Sequence, residues 1–338
     1  MMKPLILLNK IVDKKDLTKK EAMVLMEEML GGKLLPSQIA ATLTALRMKG
    51  ETVNEILGFI ICMRSHMVKI RAPGQVIDTC GTGDGKGTFN ISTAVAFVVA
   101  GAGVPVAKHG NRGASSLCGS ADVLEALGVN INLSPQQAEK MLEKTGFTFL
   151  FAPLFHPLLK FVAPVRRELK IRTVFNFLGP FASPAGVKRQ IIGAPNIKLA
   201  EKLAKVATNL DYEHLLIVSS EDGMDEISLS APTHIFEVRA KKVQKIIINP
   251  KEFGFGEADI MEIKGADAKT NAGIIRRILQ GKVGPQRDIV ILNSAAALLV
   301  SGKAANLKEG LLLAKKSIES GKALEVLGKV VNYENHIG

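Results

Sequence analysis

Four short stretches carry residue types that could do chemistry. In EDGMDEIS, Asp225 and Glu226 are adjacent. Two neighbouring carboxylates offer hard oxygen ligands, and magnesium characteristically takes one or two of these together with phosphate oxygens and water. In a chain with 44 Lys and Arg against 32 Asp and Glu, the same pair would also serve as ordinary surface acids. In CGTGDGKGTFNIST, Cys80–Thr93, glycine occupies positions 81, 83, 85 and 87. Such a run lets backbone N–H groups converge on an anion, and a following helix would add its positive end and free amides. It is not a Walker A loop, which needs four residues between its first glycine and the Gly-Lys pair, and no G-x-G-x-x-G can be read; a flexible strand-to-helix turn is the plainer alternative. In KHGNRGASS, Lys108–Ser116, a cation, an imidazole and amide donors fall within one turn, as they also would in a solvated charged loop. In APVRRELKIRTVFNFLGP, Ala163–Pro180, one Arg could grip a planar carboxylate through two parallel hydrogen bonds, while the other charges cover a solvated helix face.

The elements that would position these stretches fall into two grammars. The first seventy residues read as helices: Thr18-Lys-Lys-Glu21 and Thr52-Val-Asn-Glu55 match the capping box, and a third run from Pro36-Ser37 stops at Gly50. After Arg71-Ala-Pro-Gly74 the pattern becomes strand, glycine loop, helix, strand: Val76–Thr79, the loop, Thr93–Ala102 and Val104–Ala107. That alternation predicts a parallel α/β sheet, with the Lys108–Ser116 loop following its strand at the sheet's carboxyl edge. A capped helix from Ser134, an apolar strand over Phe147–Ala152, a strand at Leu215–Val218, two β-rich segments across Ile227–Ile248 and helices near 269–281, 288–301 and 307–320 continue it, with Asp225 and Glu226 just before a strand.

Bulk properties narrow the function classes. Mean hydropathy of +0.19 and 47% hydrophobic residues indicate a packed core, and 338 residues suggest one large or two moderate domains. A net charge of +12 attracts polyanions, but the absence of Trp and only two Tyr argue against a single-strand nucleic-acid platform and for a small anion. The Pro4–Leu8 run is too short for a signal-peptide core and Thr93–Ala107 too short and glycine-broken for a membrane span, so no membrane association is expected. Cys62, Cys80 and Cys118 form no paired framework, which fits a cytoplasmic protein, and with no His motif beside them a thiol nucleophile is disfavoured. The histidines at 66, 156, 214, 234 and 336 show no metal spacing and read as structural.

Taken in order, DTCGTG, GTFNIST, VAKHGNR, CGSADVLEALG, the VRREL to NFLGP segment, DGMDEIS and NSAAALLV resemble the anthranilate phosphoribosyltransferase family of tryptophan biosynthesis, from the helical amino terminus to about Leu327. The resemblance implies an α/β fold with a small α-helical domain and a large α/β domain whose central, mainly parallel sheet is flanked by helices. The small domain, residues 1–72 plus about 155–180, would mediate dimerisation; the large one, 73–154 and 181–338, would bind phosphoribosyl diphosphate. It implies a cytoplasmic homodimer that transfers phosphoribose to anthranilate with Mg2+, two ions per subunit.

By motif position, the resemblance assigns phosphoribosyl diphosphate to Gly81, Gly83, Asp84, Thr88, Asn90, Ile91, Ser92, Thr93, Lys108, Asn111, Ser115, Ser116 and Ser120. It assigns anthranilate to Gly81, His109, Asn111, Arg166, Gly179 and Pro180, magnesium to Ser92, Asp225 and Glu226, and catalytic roles to Lys108, His109 and Arg166. Four departures stand out: one glycine fewer than the family's GTGGDG, Leu117-Cys118 for Lys-Ser, Ser219-Ser220 for His-Gly, and Phe181-Ala-Ser-Pro184 for Leu-Thr-Asn-Pro. A pyrimidine nucleoside phosphorylase and a nucleic-acid-binding relative on the same fold are the competing readings; the Asp-Glu pair disfavours the first and the lack of aromatic platforms the second.

Overall fold

The computed structural model describes residues 4–72, 74–83, 86–113 and 117–333. Four helices come first: α1 (Pro4–Val12), α2 (Lys19–Leu30), α3 (Pro36–Lys49) and α4 (Val53–His66). There follow β1 (Ile77–Thr79), α5 (Ile91–Gly101), β2 (Val106–Gly110), α6 (Ser120–Ala126), α7 (Pro135–Thr145) and β3 (Phe147–Phe151). Three short helices, α8 (Ala152–Phe155), α9 (Ala163–Leu169) and α10 (Phe175–Leu178), lead to β4 (Arg189–Gly193), α11 (Ile197–Ala207), β5 (His214–Ser220), β6 (Thr233–Arg239) and β7 (Lys242–Ile248). The chain closes on α12 (Ala268–Leu279), α13 (Pro285–Ser301), α14 (Leu307–Glu319) and α15 (Lys322–Val331).

These elements form two compact units. One takes in the chain to Val68 together with Pro153–Pro184; the other comprises Lys69–Ala152 and everything from Ala185 onward. In the helical unit, α2 and α4 begin with reciprocal capping boxes, Thr18 with Glu21 and Thr52 with Glu55. Glu55 is fully buried and does more than cap: it accepts the Leu17 N–H at 2.9 Å and pairs with Lys49 at 2.9 Å, tying α4 to the end of α3 and to the loop before α2. At Gly58 a side-chain carbon would lie 2.5 Å from the Lys19 carbonyl oxygen, so α4 packs on α2 at backbone range.

In the α/β unit the sheet runs β3-β2-β1-β4-β5-β6-β7, parallel through β5 and antiparallel at β6 and β7. β3 and β5 are buried along their whole length, as parallel strands covered on both faces must be. From β1 the chain builds outward through β2 and β3, then returns to place β4 on the other side of β1. The carboxyl ends of β1 and β4 therefore flank the topological switch point, where open α/β sheets bind ligands.

Three local expectations are corrected. The strand read at Val104–Ala107 starts at Val106 and runs on through Lys108 and His109, so those residues are strand and not loop. The strand expected directly after Asp225-Glu226 begins at Thr233; Ile227 is core, but its N–H and C=O bond the Asn293 side chain at 2.9 Å each instead of a neighbouring strand. β4, central in the sheet, has no counterpart in the sequence reading.

Candidate active site

The crevice at the switch point is lined by Thr79 and Gly81 after β1, Ser92 on α5, Gly193 at the end of β4, and Asp225 and Glu226 from the loop after β5. Close approach of Asp225, by its backbone at Gly193 and by its carboxylate at Gly81, leaves little room for a side chain at either glycine. A carbon added at Gly193 would fall 1.8 Å from the Asp225 carbonyl oxygen, and one at Gly81 would fall 3.0 Å from Asp225 Oδ2. The acidic loop is shaped from both sides. Asp222 accepts from the Met224 N–H and the Ser228 hydroxyl, at 3.1 and 2.6 Å, and Gly223 turns with φ of 86°. Asn293 on α13 clamps Ile227, the residue after Glu226.

Beneath the crevice lies a buried charge. Lys108, 1% exposed, donates from Nζ to the Thr79 carbonyl at 2.8 Å and to Ser92 Oγ at 3.2 Å. A lysine survives inside a parallel sheet because these acceptors replace its water. Asp78 is also wholly buried; burial pushes its carboxyl up to about 7 against the opposing pull of Lys108 and the His109 N–H, which it accepts at 3.2 Å. Gln190 on β4, bonded at 3.0 Å by the Tyr212 hydroxyl, sits 3.5 Å from the other Asp78 oxygen. Burial first, then the Asp225 charge, raises the Glu226 carboxyl above the ordinary carboxylate range, while Lys108 and the Ser92 N–H lower it. Two adjacent, half-buried carboxylates, Asp225 disfavouring the ionised form of Glu226, with a hydroxyl beside them, suit a hard divalent cation.

The first turn of α5 departs from expectation. Three of its first four amides are not free for a ligand: Ile91 N–H bonds Phe89 O, and the Thr93 and Ala94 amides bond Asn90 O. The remaining Ser92 N–H favours the ionised Glu226 carboxylate, a protein anion at this helix start. Ile91 itself is core, 1% exposed. Asn90 does not cap α5 with its side chain; its Nδ2 donates to Cys118 O at 3.1 Å and its Oδ1 accepts from Asn271 at 3.0 Å. Thr93 Oγ1 and Thr82 Oγ1 are buried hydroxyls with no hydrogen-bond partner among the described residues. Gly83, at φ of 74°, is in the left-handed region, and Thr88 bridges Lys264.

Within β2 His109 is buried; beyond it Asn111 is exposed, and Ser120 Oγ donates to the Asn111 carbonyl at 3.3 Å at the start of α6. Arg112 is held by Asp122 and Glu125 and lies over the Phe151 ring at 5.5 Å. Asp84, Ser115 and Ser116 lie outside the described residues. Arg166 on α9, Gly179 and Pro180 belong to the helical unit. Arg166 is largely buried, which pulls its guanidinium down, and it lies 5.3 Å over the Phe175 ring.

With the geometry in place, comparison with known proteins decides the family. Residues 6–67 match the glycosyl transferase family's helical bundle domain, and 73–324 match its a/b domain. The anthranilate phosphoribosyltransferase of Thermomicrobium roseum is 50% identical over 329 residues, 96% of this chain and 94% of that protein; the Chloroflexus aggregans enzyme of the same name is 49% identical over 324 residues, 95% of each. Among solved structures, the Thermus thermophilus anthranilate phosphoribosyltransferase is 38% identical with a TM-score of 0.91, covering 97% of this chain and 99% of that one. The Saccharomyces cerevisiae enzyme in complex with PRPP and Mg is 28% identical with a TM-score of 0.91, covering 99% and 98%. The chain belongs to the anthranilate phosphoribosyltransferase family.

The sequence reading missed several residues that shape this anthranilate phosphoribosyltransferase crevice. Asp78 and Asn293 lie within the quoted DTCGTG and NSAAALLV motifs but were given no role there, and Gln190 and Gly193 carry no motif; Asn293 holds Ile227 from 66 residues away and Gln190 reaches Asp78 from 112. Beyond those motifs the available signals were a polar residue inside an apolar strand, as in VIDT and RQIIG, and an Asn within an apolar helix.

Proposed function

We propose that this chain transfers the 5-phosphoribosyl group of phosphoribosyl diphosphate to the amine of anthranilate, giving N-(5-phosphoribosyl)anthranilate and diphosphate in L-tryptophan biosynthesis. The observation that carries this reading is the convergence of Gly81, Ser92, Asp225 and Glu226 at the switch point, above buried Lys108, in a chain about half identical to enzymes of that name. An aromatic amine is weakly basic and neutral at pH 7, so it attacks the ribose C1′ without a strong base. The barrier then lies in the departing diphosphate and in alignment, which are matters of electrostatics and positioning.

In this reading Asp225, Glu226 and Ser92 hold magnesium, two ions per subunit. Magnesium, when bound, neutralises the diphosphate oxygens and takes up the charge that builds on them. Gly81, Gly83, Asp84, Thr88, Asn90, Thr93, Asn111, Ser115, Ser116 and Ser120 surround phosphoribosyl diphosphate, with Ile91 contributing packing. Lys108 acts from below, fixing Ser92 and offsetting the acids, which makes it a positioning residue. Arg166 is assigned the grip on the anthranilate carboxylate, and His109, Gly179 and Pro180 further contacts with anthranilate. The exposed apolar residues Leu5, Ile6 and Val12 on α1 and Met48 at the end of α3 support a homodimer formed through the helical unit. No helix among the described residues is long and apolar enough to cross a membrane, and the three free cysteines fit the cytoplasm.

The test follows anthranilate fluorescence with phosphoribosyl diphosphate, with and without Mg2+. Magnesium-dependent loss of the signal is expected, and the Asp225→Asn, Glu226→Gln double variant should lose that dependence together with most of the rate. No consumption by the intact chain, or an unaltered magnesium response in the double variant, rejects the reading.

A further inference from the structure

We propose that Glu27, Cys62 and His66 form a binding site for a borderline-soft divalent cation of the Zn2+ class in the helical unit. Cys62 and His66 lie four residues apart on α4 and so share one face, a spacing the sequence reading passed over because its third member comes from α2. The three ligand atoms all lie within 4.8 Å of one another. Cys62 Sγ is 3.4 Å, and His66 Nε2 2.6 Å, from the same carboxylate oxygen, Glu27 Oε2.

This geometry is close to what such an ion requires. A tetrahedral zinc, at about 2.0–2.3 Å from nitrogen, oxygen and sulfur, sets its ligand atoms roughly 3.3–3.7 Å apart. The Cys62–Glu27 separation of 3.4 Å already falls in that range, and the His66–Glu27 contact of 2.6 Å must open by about 0.7 Å. Both partners of that contact can yield, since the His66 and Glu27 side chains are 31% and 49% exposed. The backbone beneath them is fixed, because α4 crosses α2 at Gly58, one turn before Cys62, with no room for even a methyl group. Leu30, Met63, Leu158 and Leu159, together with the His156 imidazole, line the cavity beside His66.

The donor set selects the metal class. Thiolate, imidazole and carboxylate together favour zinc over magnesium, which prefers oxygen alone. Binding requires the thiol proton to leave for solvent and the imidazole proton to sit on Nδ1; no electrons move. The assembled site is then neutral, two anionic ligands against one divalent cation. Without metal, burial and Glu27 push the Cys62 thiol up to about 12, so the ion competes with a proton. Lys33, the other cation acting on Glu27, is paired with Glu28 at 3.0 Å. A water completes the coordination, and the ion pins the last turns of two helices to each other.

The same three groups could instead be a hydrogen-bonded surface cluster, and cobalt separates the two arrangements. Chelator-treated full-length protein, titrated with Co2+, should develop the charge-transfer absorption of a cobalt–thiolate bond at one equivalent per chain, and Zn2+ should displace it. Cys62→Ser should abolish the band. His66→Ala and Glu27→Gln, at partly exposed side chains that leave the fold intact by circular dichroism, should each weaken Co2+ binding at least about ten-fold. The Asp225→Asn, Glu226→Gln variant should keep the band, which separates this site from the crevice. No cobalt–thiolate absorption in the intact protein, an undiminished band in Cys62→Ser, or unchanged affinity in both His66→Ala and Glu27→Gln overturns the proposal.

Discussion

Replacing Gly193 by alanine probes the crevice with a single methyl group. The added carbon would fall 1.8 Å from the Asp225 carbonyl oxygen, 2.8 Å from its carbonyl carbon and 3.1 Å from its Cβ. Restoring even a 3.0 Å contact requires a retreat of about 1.2 Å, and the obstacle is backbone, so no rotamer change relieves it. β4 is hydrogen-bonded on both edges and cannot give way, so the acidic loop must move. A displacement of about 1 Å at a reacting centre costs on the order of a hundred-fold in rate, whereas overpacking at one position costs about 1–3 kcal/mol of stability. Gly193→Ala should therefore fold, melt a few degrees lower, and lose about a hundred-fold in kcat/KM with a raised magnesium requirement. The assay is anthranilate fluorescence across a magnesium titration, paired with a thermal melt. Gly328→Ala, in α15 with open space around it, is the control and should be neutral or slightly stabilising. A Gly193→Ala protein with intact stability, rate and magnesium response would refute the idea that this contact sets the position of Asp225.

Three other perturbations separate the parts of the argument. The Asp78 carboxyl is raised to about 7, so the folded chain keeps a proton that the unfolded chain sheds near pH 4; its contribution to stability should fall as pH rises from about 4 to 7 and then level off, by on the order of 4 kcal/mol at most. Asp78→Asn should flatten that slope in urea unfolding between pH 5 and 8, and equal slopes would count against the assignment. Arg166→Lys should lower kcat/KM for anthranilate roughly ten- to hundred-fold by removing a charged, paired hydrogen bond, with little change for phosphoribosyl diphosphate; an equal loss for both substrates would place Arg166 elsewhere. Glu55→Ala strands the Leu17 N–H and leaves Lys49 only the exposed Asp16 carboxylate and the Gly50 carbonyl, and should cost about 1–3 kcal/mol by chemical denaturation; no measurable loss would mean that Glu55 is not structural.

What could be read from the sequence was what local chemistry encodes. Thr18 and Glu21 sit three residues apart and satisfy each other's backbone wherever they occur, so the α2 start was legible, as was that of α7 at Ser134 and Gln137. The Asp225-Glu226 pair and Gly81 were legible as ligand types. The structure brings them to one crevice, yet nothing local says that Gly193 must be glycine, because its neighbour is Asp225 and not a residue of its own turn. Lys108 was read as loop because a charge ends most apolar runs; it stays in β2 only because Thr79 and Ser92, 29 and 16 residues earlier, receive its protons. The free amides expected at the start of α5 were a sound inference from a helix alone; the Phe89 and Asn90 carbonyls take up three of them, and the Ser92 N–H favours Glu226, which comes from the loop after β5, two strands away from β1.

That last exchange bears on how the crevice works. With the Ser92 N–H favouring the ionised carboxylate, the α5 dipole is turned towards keeping Glu226 ionised. Lys108 works in the same direction from below, and Asp225 works against it. Burial outweighs both helpers, which leaves the acid pair short of positive charge at neutral pH. A divalent cation supplies the missing charge more fully than a proton does, because it serves both carboxylates at once and still presents charge to a phosphorylated ligand. In the proposed reaction, magnesium and the buried Lys108 would thus answer one electrostatic deficit, the lysine from a position fixed by the fold.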